Sequence, residues 1–275
     1  MVNNQYINPW TKQEIQILKQ KYPTQGYNIP ELLKNRTKSG INSKASVLDI
    51  KWNNRLKRIK ITGRLKEIFD GLMLGDGGLS APARGKKTAI LMLSQTESKK
   101  EFVDDIYRKL KEKEVMIRYT TGNKEKDHIF KGKLIHTNKN TRIITRSYVD
   151  LRNEMFRWGY INGIGKTKIP SDVSITPLTL AIFYMGDGSI VQMHKKQNYQ
   201  NYRIQFSTQC FSKQSLTQFK KKVEQRYGWK LKIGLHTSKW VINIFYLQDI
   251  LNFLKITKPH MINCFAYKWQ LLNDV

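Results

Sequence analysis

Apolar residues crowd into two short stretches of this chain. The first is Phe69-Asp70-Gly71-Leu72-Met73-Leu74-Gly75-Asp76-Gly77; the second is Leu180-Ala181-Ile182-Phe183-Tyr184-Met185-Gly186-Asp187-Gly188. Each reads as a buried helix ending in Gly-Asp-Gly, and the two aspartates stand 111 residues apart. A carboxylate at a helix C-terminus faces the negative end of the macrodipole, unfavourable by about 0.3–1 kcal/mol at an exposed site. The glycine that follows, Gly77 or Gly188, suits the left-handed residue that closes such a helix. Gly71 and Gly75 share a helix face that a second backbone can approach; Gly186 answers Gly75, and Ile182 stands where Gly71 is matched. Packed parallel, the two helices would deliver Asp76 and Asp187 to the same end. Carboxylates that close raise one another's pKa unless a cation lies between them, and an all-oxygen donor set suits Mg²⁺.

Outside these runs the pattern turns to alternation. After Asp76, strands are expected at 89–95, 117–121 and 141–147, with a helix at 97–113. After Asp187 the order recurs, with strands at 202–209, 230–236 and 239–245 and a helix at 213–226. Ser94-Gln95-Thr96 before the first of these helices answers Thr208-Gln209-Cys210 before the second, so an α/β unit is duplicated. In the second copy Arg203, Gln205, Ser207 and Gln209 alternate with Ile204 and Phe206, as in an antiparallel sheet with one buried and one open face. The first copy is less regular, because Gln95 falls in phase with Leu91 and Leu93. Side chains expected on the open faces are Arg118, Arg142 and Arg146, then Arg203, Gln205, Lys230, Lys232 and Lys239.

Residues 1–50 read as a small all-helical unit. Thr11-Lys12-Gln13-Glu14 fits a capping box, and Leu18 and Tyr22 follow at helical spacing. Pro30 opens a second helix, and Ile41, Ala45 and Leu48 mark a third. Three short helices with an opening tryptophan resemble a Myb-like or helix-turn-helix module, which implies a third helix entering a major groove with Lys38, Asn42 and Lys44 outward. Residues 51–63 form a basic linker carrying Arg55, Lys57 and Arg58, suited to tracking phosphates.

Charge narrows the partner. Of 275 residues, 49 are basic and 21 acidic, a net charge of +28 that repels itself unless it faces a polyanion. Nucleic acid is the expected partner, and no membrane is. No apolar run reaches the ~20 residues that span a bilayer, and the polar start lacks a signal-peptide core, so an intracellular protein is expected. Cys210 and Cys264 alone exclude a disulfide framework and a zinc finger, and the five histidines show no ligand spacing.

Together these residues resemble the single-chain LAGLIDADG homing endonucleases over about residues 64–270. Lys166-Thr167-Lys168-Ile169-Pro170 with Thr176-Pro177-Leu178 resembles the family's approach to its second motif, and Tyr267-Lys268-Trp269 the tail of its second lobe. The resemblance implies an α+β fold: two pseudo-symmetric αββαββα lobes (64–165 and 166–275), joined by parallel motif helices, their antiparallel sheets forming a DNA-binding saddle. It also implies a monomeric, Mg²⁺-dependent, site-specific double-strand DNA endonuclease, with Mn²⁺ substituting and Ca²⁺ supporting binding without cleavage. Asp76 and Asp187 match the metal carboxylates, with Gly75 and Gly186 carbonyls as further ligands; Gln95, Gln209, Lys166, Lys168 and Lys268 match the surrounding polar shell. The family's lysine normally stands three before the proline, where this chain has Thr167. An intron maturase acting on host RNA and a DNA-binding regulator without cleavage are the alternatives.

Overall fold

The computed structural model describes residues 9–52, 57–81, 87–122, 125–130, 133–160, 165–196 and 199–273. The chain divides into two units, Met1–Lys57 and Arg58–Val275.

The first unit contains α1 (Lys12–Gln25), α2 (Pro30–Leu33) and α3 (Lys38–Val47). Thr11 and Glu14 close the capping box reciprocally, and α1 runs on through Pro23. Leu18, Tyr22, Ile29, Leu32, Ile41 and Ala45 form its core. Arg36 grips Glu14 through bonds of 2.8 and 2.7 Å and lies 4.7 Å over the Trp10 ring. That hydrogen-bonded guanidinium pulls the Glu14 carboxyl down to about 2.

In the second unit, α4 (Gly63–Leu74) and α7 (Pro177–Asp187) occupy the centre, buried almost on every side. Each leads into a four-stranded sheet. The first lobe contains β1 (Gly78–Ser80), β2 (Ile90–Thr96), α5 (Lys100–Lys111), β3 (Ile117–Thr121), the hairpin β4 (Lys126–Phe130) and β5 (Lys133–Thr137), β6 (Asn140–Thr145) and α6 (Val149–Arg157). The second contains β7 (Gly188–Lys196), β8 (Tyr199–Phe206), α8 (Lys213–Tyr227), β9 (Leu231–His236), β10 (Lys239–Ile244) and α9 (Leu247–Thr257). The sheets run β1-β2-β6-β3 and β7-β8-β10-β9, all antiparallel, so the duplicated pattern is a duplicated topology. The lobes differ at one connection: β9 turns into β10 through Thr237 and Ser238, both at positive φ, where the first lobe carries the extra β4–β5 hairpin.

Burial follows the alternation. Leu91, Leu93 and Ile143 face the core of one sheet, and Ile204, Phe206, Ile242 and Ile244 that of the other. The segments after the last helix of each lobe cross to the other. Ser212 N donates to Thr167 O, and the Tyr227 hydroxyl to Ile175 O; Phe265 meets Phe102 edge-on at 5.4 Å. Among the described residues no helix is long and apolar enough to cross a membrane.

Candidate active site

The glycines decide how α4 and α7 meet. A Cβ on Gly71 would stand 2.8 Å from Ile182 Cβ and 2.9 Å from Thr179 O; one on Gly75 would stand 3.7 Å from Asp187 N. One on Gly186 would stand 3.0 Å from Asp76 Oδ2. Contacts that advance in step along both helices make them parallel, and Asp76 and Asp187 come together at their C-terminal ends.

Neither helix closes on the expected left-handed glycine, since Gly188 stands at φ −92° in extended backbone and Gly77 is not at positive φ, and the two ends are built differently. α4 stops at Leu74, and Gly77 N bonds back to Leu72 O at 2.7 Å, so Asp76 stands exposed in a tight turn. α7 continues through Asp187, which is half-buried and whose carbonyl accepts Ser207 N at 2.8 Å. Burial, reinforced by the Asp76 charge, raises the Asp187 carboxyl to about 6 against the pull of Lys166 and Lys268. That strain is what a cation between two carboxylates relieves. Among the described residues no three His, Cys, Asp or Glu side chains cluster as metal ligands. Asp76 and Asp187, with nearby backbone carbonyls, offer an all-oxygen donor set of the kind that suits Mg²⁺.

A lysine sits under each end. Lys268, 6% exposed, donates to the carbonyls of Tyr184, Met185 and Gly188 at 2.9, 2.8 and 2.6 Å. Lys166 donates to Gly75 O and, at 3.0 Å, to Gly77 O. Burial lowers the Lys268 ammonium to about 8 and lowers Lys166 as well. Lys168 is exposed, and Thr167 spends its hydroxyl on Gly159 O at 2.7 Å. Of the two lysines flanking Thr167, Lys166 reaches the carbonyls of the first motif end and Lys168 stands in solvent. Lys166 occupies the Gly75 carbonyl, whereas the Gly186 carbonyl takes part in neither lysine's bonds.

Gln95 donates its amide to Asp76 Oδ2 at 2.5 Å. Its phase with Leu91 and Leu93 explains this: the buried face of β2 covers the motif helix, and its last position reaches the helix end. Gln209 does not repeat the arrangement. Leu91, Leu93 and Gln95 share the inward phase of β2, and in the second lobe that phase runs Ile204, Phe206 and Thr208, so Thr208 answers Gln95. Thr208 is fully buried and donates to Trp240 O at 3.1 Å; Gln209 stands one residue later, and no bond joins it to Asp187.

The polar rows lie on the open faces. Ser94, Arg142 and Thr120 pair across the first sheet, as do Met92, Ile144 and Arg118, and Arg146 continues that phase. Gln205, Asn243 and Lys232 form the matching row of the second sheet, with Arg203, Lys230 and Lys239 in phase. The ammonium groups of Lys230 and Lys232 lie 5.2 Å over Tyr246 and Phe245. In the first unit Lys38 is exposed and Lys44 half-buried, but Asn42 is not free: its Oδ1 accepts the Tyr22 hydroxyl at 2.7 Å. Lys57 and Arg58 are exposed, Arg58 lying 3.7 Å from Asp150, and Arg55 lies outside the described residues.

Two residues escaped the sequence reading. Asn243, 4% exposed, sits mid-row with an unpartnered Oδ1; its signal is a polar side chain in the otherwise apolar run of β10. Asp70, fully buried, takes Lys66, Arg157 and Ser174 N, tying α4 to α6 and the interlobe segment; its signal is the Lys66 one helical turn earlier.

A sequence model of the LAGLIDADG DNA endonuclease family matches residues 66–248. The chain is 23% identical over 233 residues to an uncharacterized protein of Methanocaldococcus jannaschii, covering 82% of this chain and 81% of that one. It superposes on the homing endonuclease I-WcaI bound to its DNA recognition sequence with a TM-score of 0.60 at 18% identity, over 82% of this chain and 97% of that one. A LAGLIDADG meganuclease, I-AabMI, bound to uncleaved DNA, matches at TM-score 0.46 and 11% identity, over 76% and 89%. At 18% identity the likeness to I-WcaI is one of fold.

Proposed function

Since this chain belongs to the LAGLIDADG DNA endonuclease family, we propose that it is a monomeric, Mg²⁺-dependent endonuclease that cuts both strands of a long, asymmetric DNA target. The observation that carries the proposal is the meeting of Asp76 and Asp187 at the ends of two parallel helices, with a lysine under each. The +28 charge and the basic rows on both open sheet faces support duplex DNA as the partner.

Asp76 and Asp187 would hold the divalent cation, with the Gly186 carbonyl as the backbone oxygen the lysines leave open. Bound there, Mg²⁺ would stabilise charge on the phosphodiester and lower the pKa of the attacking water. The chain's own groups do the rest. Lys166 and Lys268 hold the carbonyls of each motif end and place positive charge beneath the carboxylates. Gln95 orients Asp76. Arg118, Arg142 and Arg146 on one sheet, and Arg203, Gln205, Asn243 and Lys232 on the other, face phosphates and base edges of the two half-sites. The first unit adds DNA contact through Lys38 and Lys44, with Asn42 offering only its amide donors.

The test is incubation with a plasmid library of randomised inserts and with fragmented genomic DNA, in Mg²⁺ and in EDTA, followed by sequencing of new ends. Discrete Mg²⁺-dependent ends on both strands at shared positions are expected. Tight, salt-sensitive binding that yields no ends would overturn the proposal.

A further inference from the structure

β2 is apolar on both of its faces. Leu91 and Leu93 are buried in the core, while Ile90 and Met92 alternate with them and are half-exposed on the other side. β6 repeats the arrangement, with Ile143 buried and Ile144 half-exposed. Strand pairing sets Met92 beside Ile144, and Ile144 beside Arg118. Met116, 42% exposed, lies two residues before Arg118, and its carbonyl accepts Arg146 N at 2.7 Å. Among the described residues, none of these four apolar side chains joins the core cluster. In the second sheet, by contrast, Gln205, Asn243 and Lys232 pair in one polar row. A groove of about 860 Å³ crosses the first sheet, lined in part by Ile90, Ile144 and Met116 and by Arg118 and Arg146.

An apolar patch set among arginines fits a partner that is anionic at its rim and apolar where it meets Met92 and Ile144. Duplex DNA offers both at the thymine edge of the major groove, where a 5-methyl group stands beside the O4 acceptor. A guanidinium carries donors only, so it bonds O4 and is mismatched with the 4-amino group of a cytosine, methylated or not. We propose that Ile90, Met92, Ile144 and Met116 form a binding surface for thymine 5-methyl groups, so that the half-site read by the first sheet is rich in T·A pairs. This rests on the DNA-binding part of the reading above and names the bases it takes.

The test uses the full chain, with Ca²⁺ in place of Mg²⁺ to hold binding apart from cleavage. A target is selected by binding from a randomised duplex library, and each of its thymines is replaced in turn by deoxyuridine, which lacks only the methyl. A loss of about threefold to fourfold in affinity per methyl is expected at two or more thymines of one half-site, the factor for burying one methyl-sized group. Met92→Gln should erase the penalty at one or more of those positions while binding the uracil-substituted target as tightly as the wild type does, which shows the variant folded. 5-Methylcytosine paired with guanine at the same positions keeps the methyl but loses O4, and should bind more weakly than thymine; equal binding would overturn the choice of thymine. No uracil penalty at any thymine, or one that both Met92→Gln and Ile144→Asn leave in place, would overturn the inference. A uracil-sensitive target that is bound but never cut in Mg²⁺ would leave it standing and overturn the endonuclease. A chain that selects no duplex would overturn both.

Discussion

The side chain of Ile182 fills the space that Gly71 leaves open. A Cβ at residue 71 would stand 2.8 Å from Ile182 Cβ and 2.9 Å from Thr179 O, closer than packed atoms tolerate. The motif copies are thus complementary where they are not identical: a glycine on one helix receives an isoleucine on the other. Gly71→Ala should destabilise the second unit by about 1–3 kcal/mol, read as a lowered denaturation midpoint. Adding Ile182→Ala should not recover the loss, because alanine keeps the Cβ and the Thr179 carbonyl is backbone. A single variant as stable as the wild type would mean that the helices separate more easily than this packing allows.

The carboxyl of Asp187, raised from 3.8 to about 6, makes a signed prediction about stability. Below the unfolded value both states are protonated and the group is neutral to folding. As pH rises through the window between 3.8 and 6 the folded state resists ionisation and loses stability; above it the loss is complete. In EDTA, Asp187→Asn should therefore melt higher than the wild type above pH 6, by about 1–3 kcal/mol, and equally with it near pH 3. Equal midpoints at pH 7.5 would refute the strain.

Lys166 and Lys168 should separate cleanly. Lys166→Ala frees the carbonyls of Gly75 and Gly77 and removes charge beneath the carboxylates, so cutting should fall by roughly tenfold or more. Lys168→Ala removes an exposed side chain and should cut at nearly the wild-type rate. Cleavage assays on one target decide it; the reverse ranking would reassign the site lysine.

In the first unit, Glu14 is held near 2 by Arg36, below its unfolded 4.5. Its contribution is present above pH 4.5 and is lost as pH falls from there towards 2. The protection factors of the α1 and α3 amides, taken against the intrinsic exchange rate at each pH, should fall over that window in the wild type. Glu14→Gln should show the lower protection already at neutral pH.

Asn243 lies in the same cross-strand row as Gln205 and Lys232, with an acceptor left unpaired. Asn243→Ala should relax selectivity at a single base pair by about 1–3 kcal/mol, measured by cleavage of target libraries, with little change in salt dependence. A uniform loss across all positions would make it a packing residue instead.

The sequence by itself determined what is local. Two apolar runs closed by Gly-Asp-Gly specify two buried helices with an acid at each end, and alternation in 203–209 specifies which face of β8 is open. The capping box of Thr11 and Glu14 is legible for the same reason, since its partners are three residues apart. Tertiary structure decided everything that depends on register or reach. The Ser-Gln-Thr and Thr-Gln-Cys matches pair Gln95 with Gln209, yet the inward phase of β8 continues to the buried Thr208, and Gln209 follows in the turn beyond the strand. Lys166 and Lys168 carry the same flexible stem, so only the path of the segment beside Gly159 and Phe211 aims one inward and leaves the other in solvent. The Tyr22 hydroxyl claims Asn42 from twenty residues away, a distance over which periodicity carries no information.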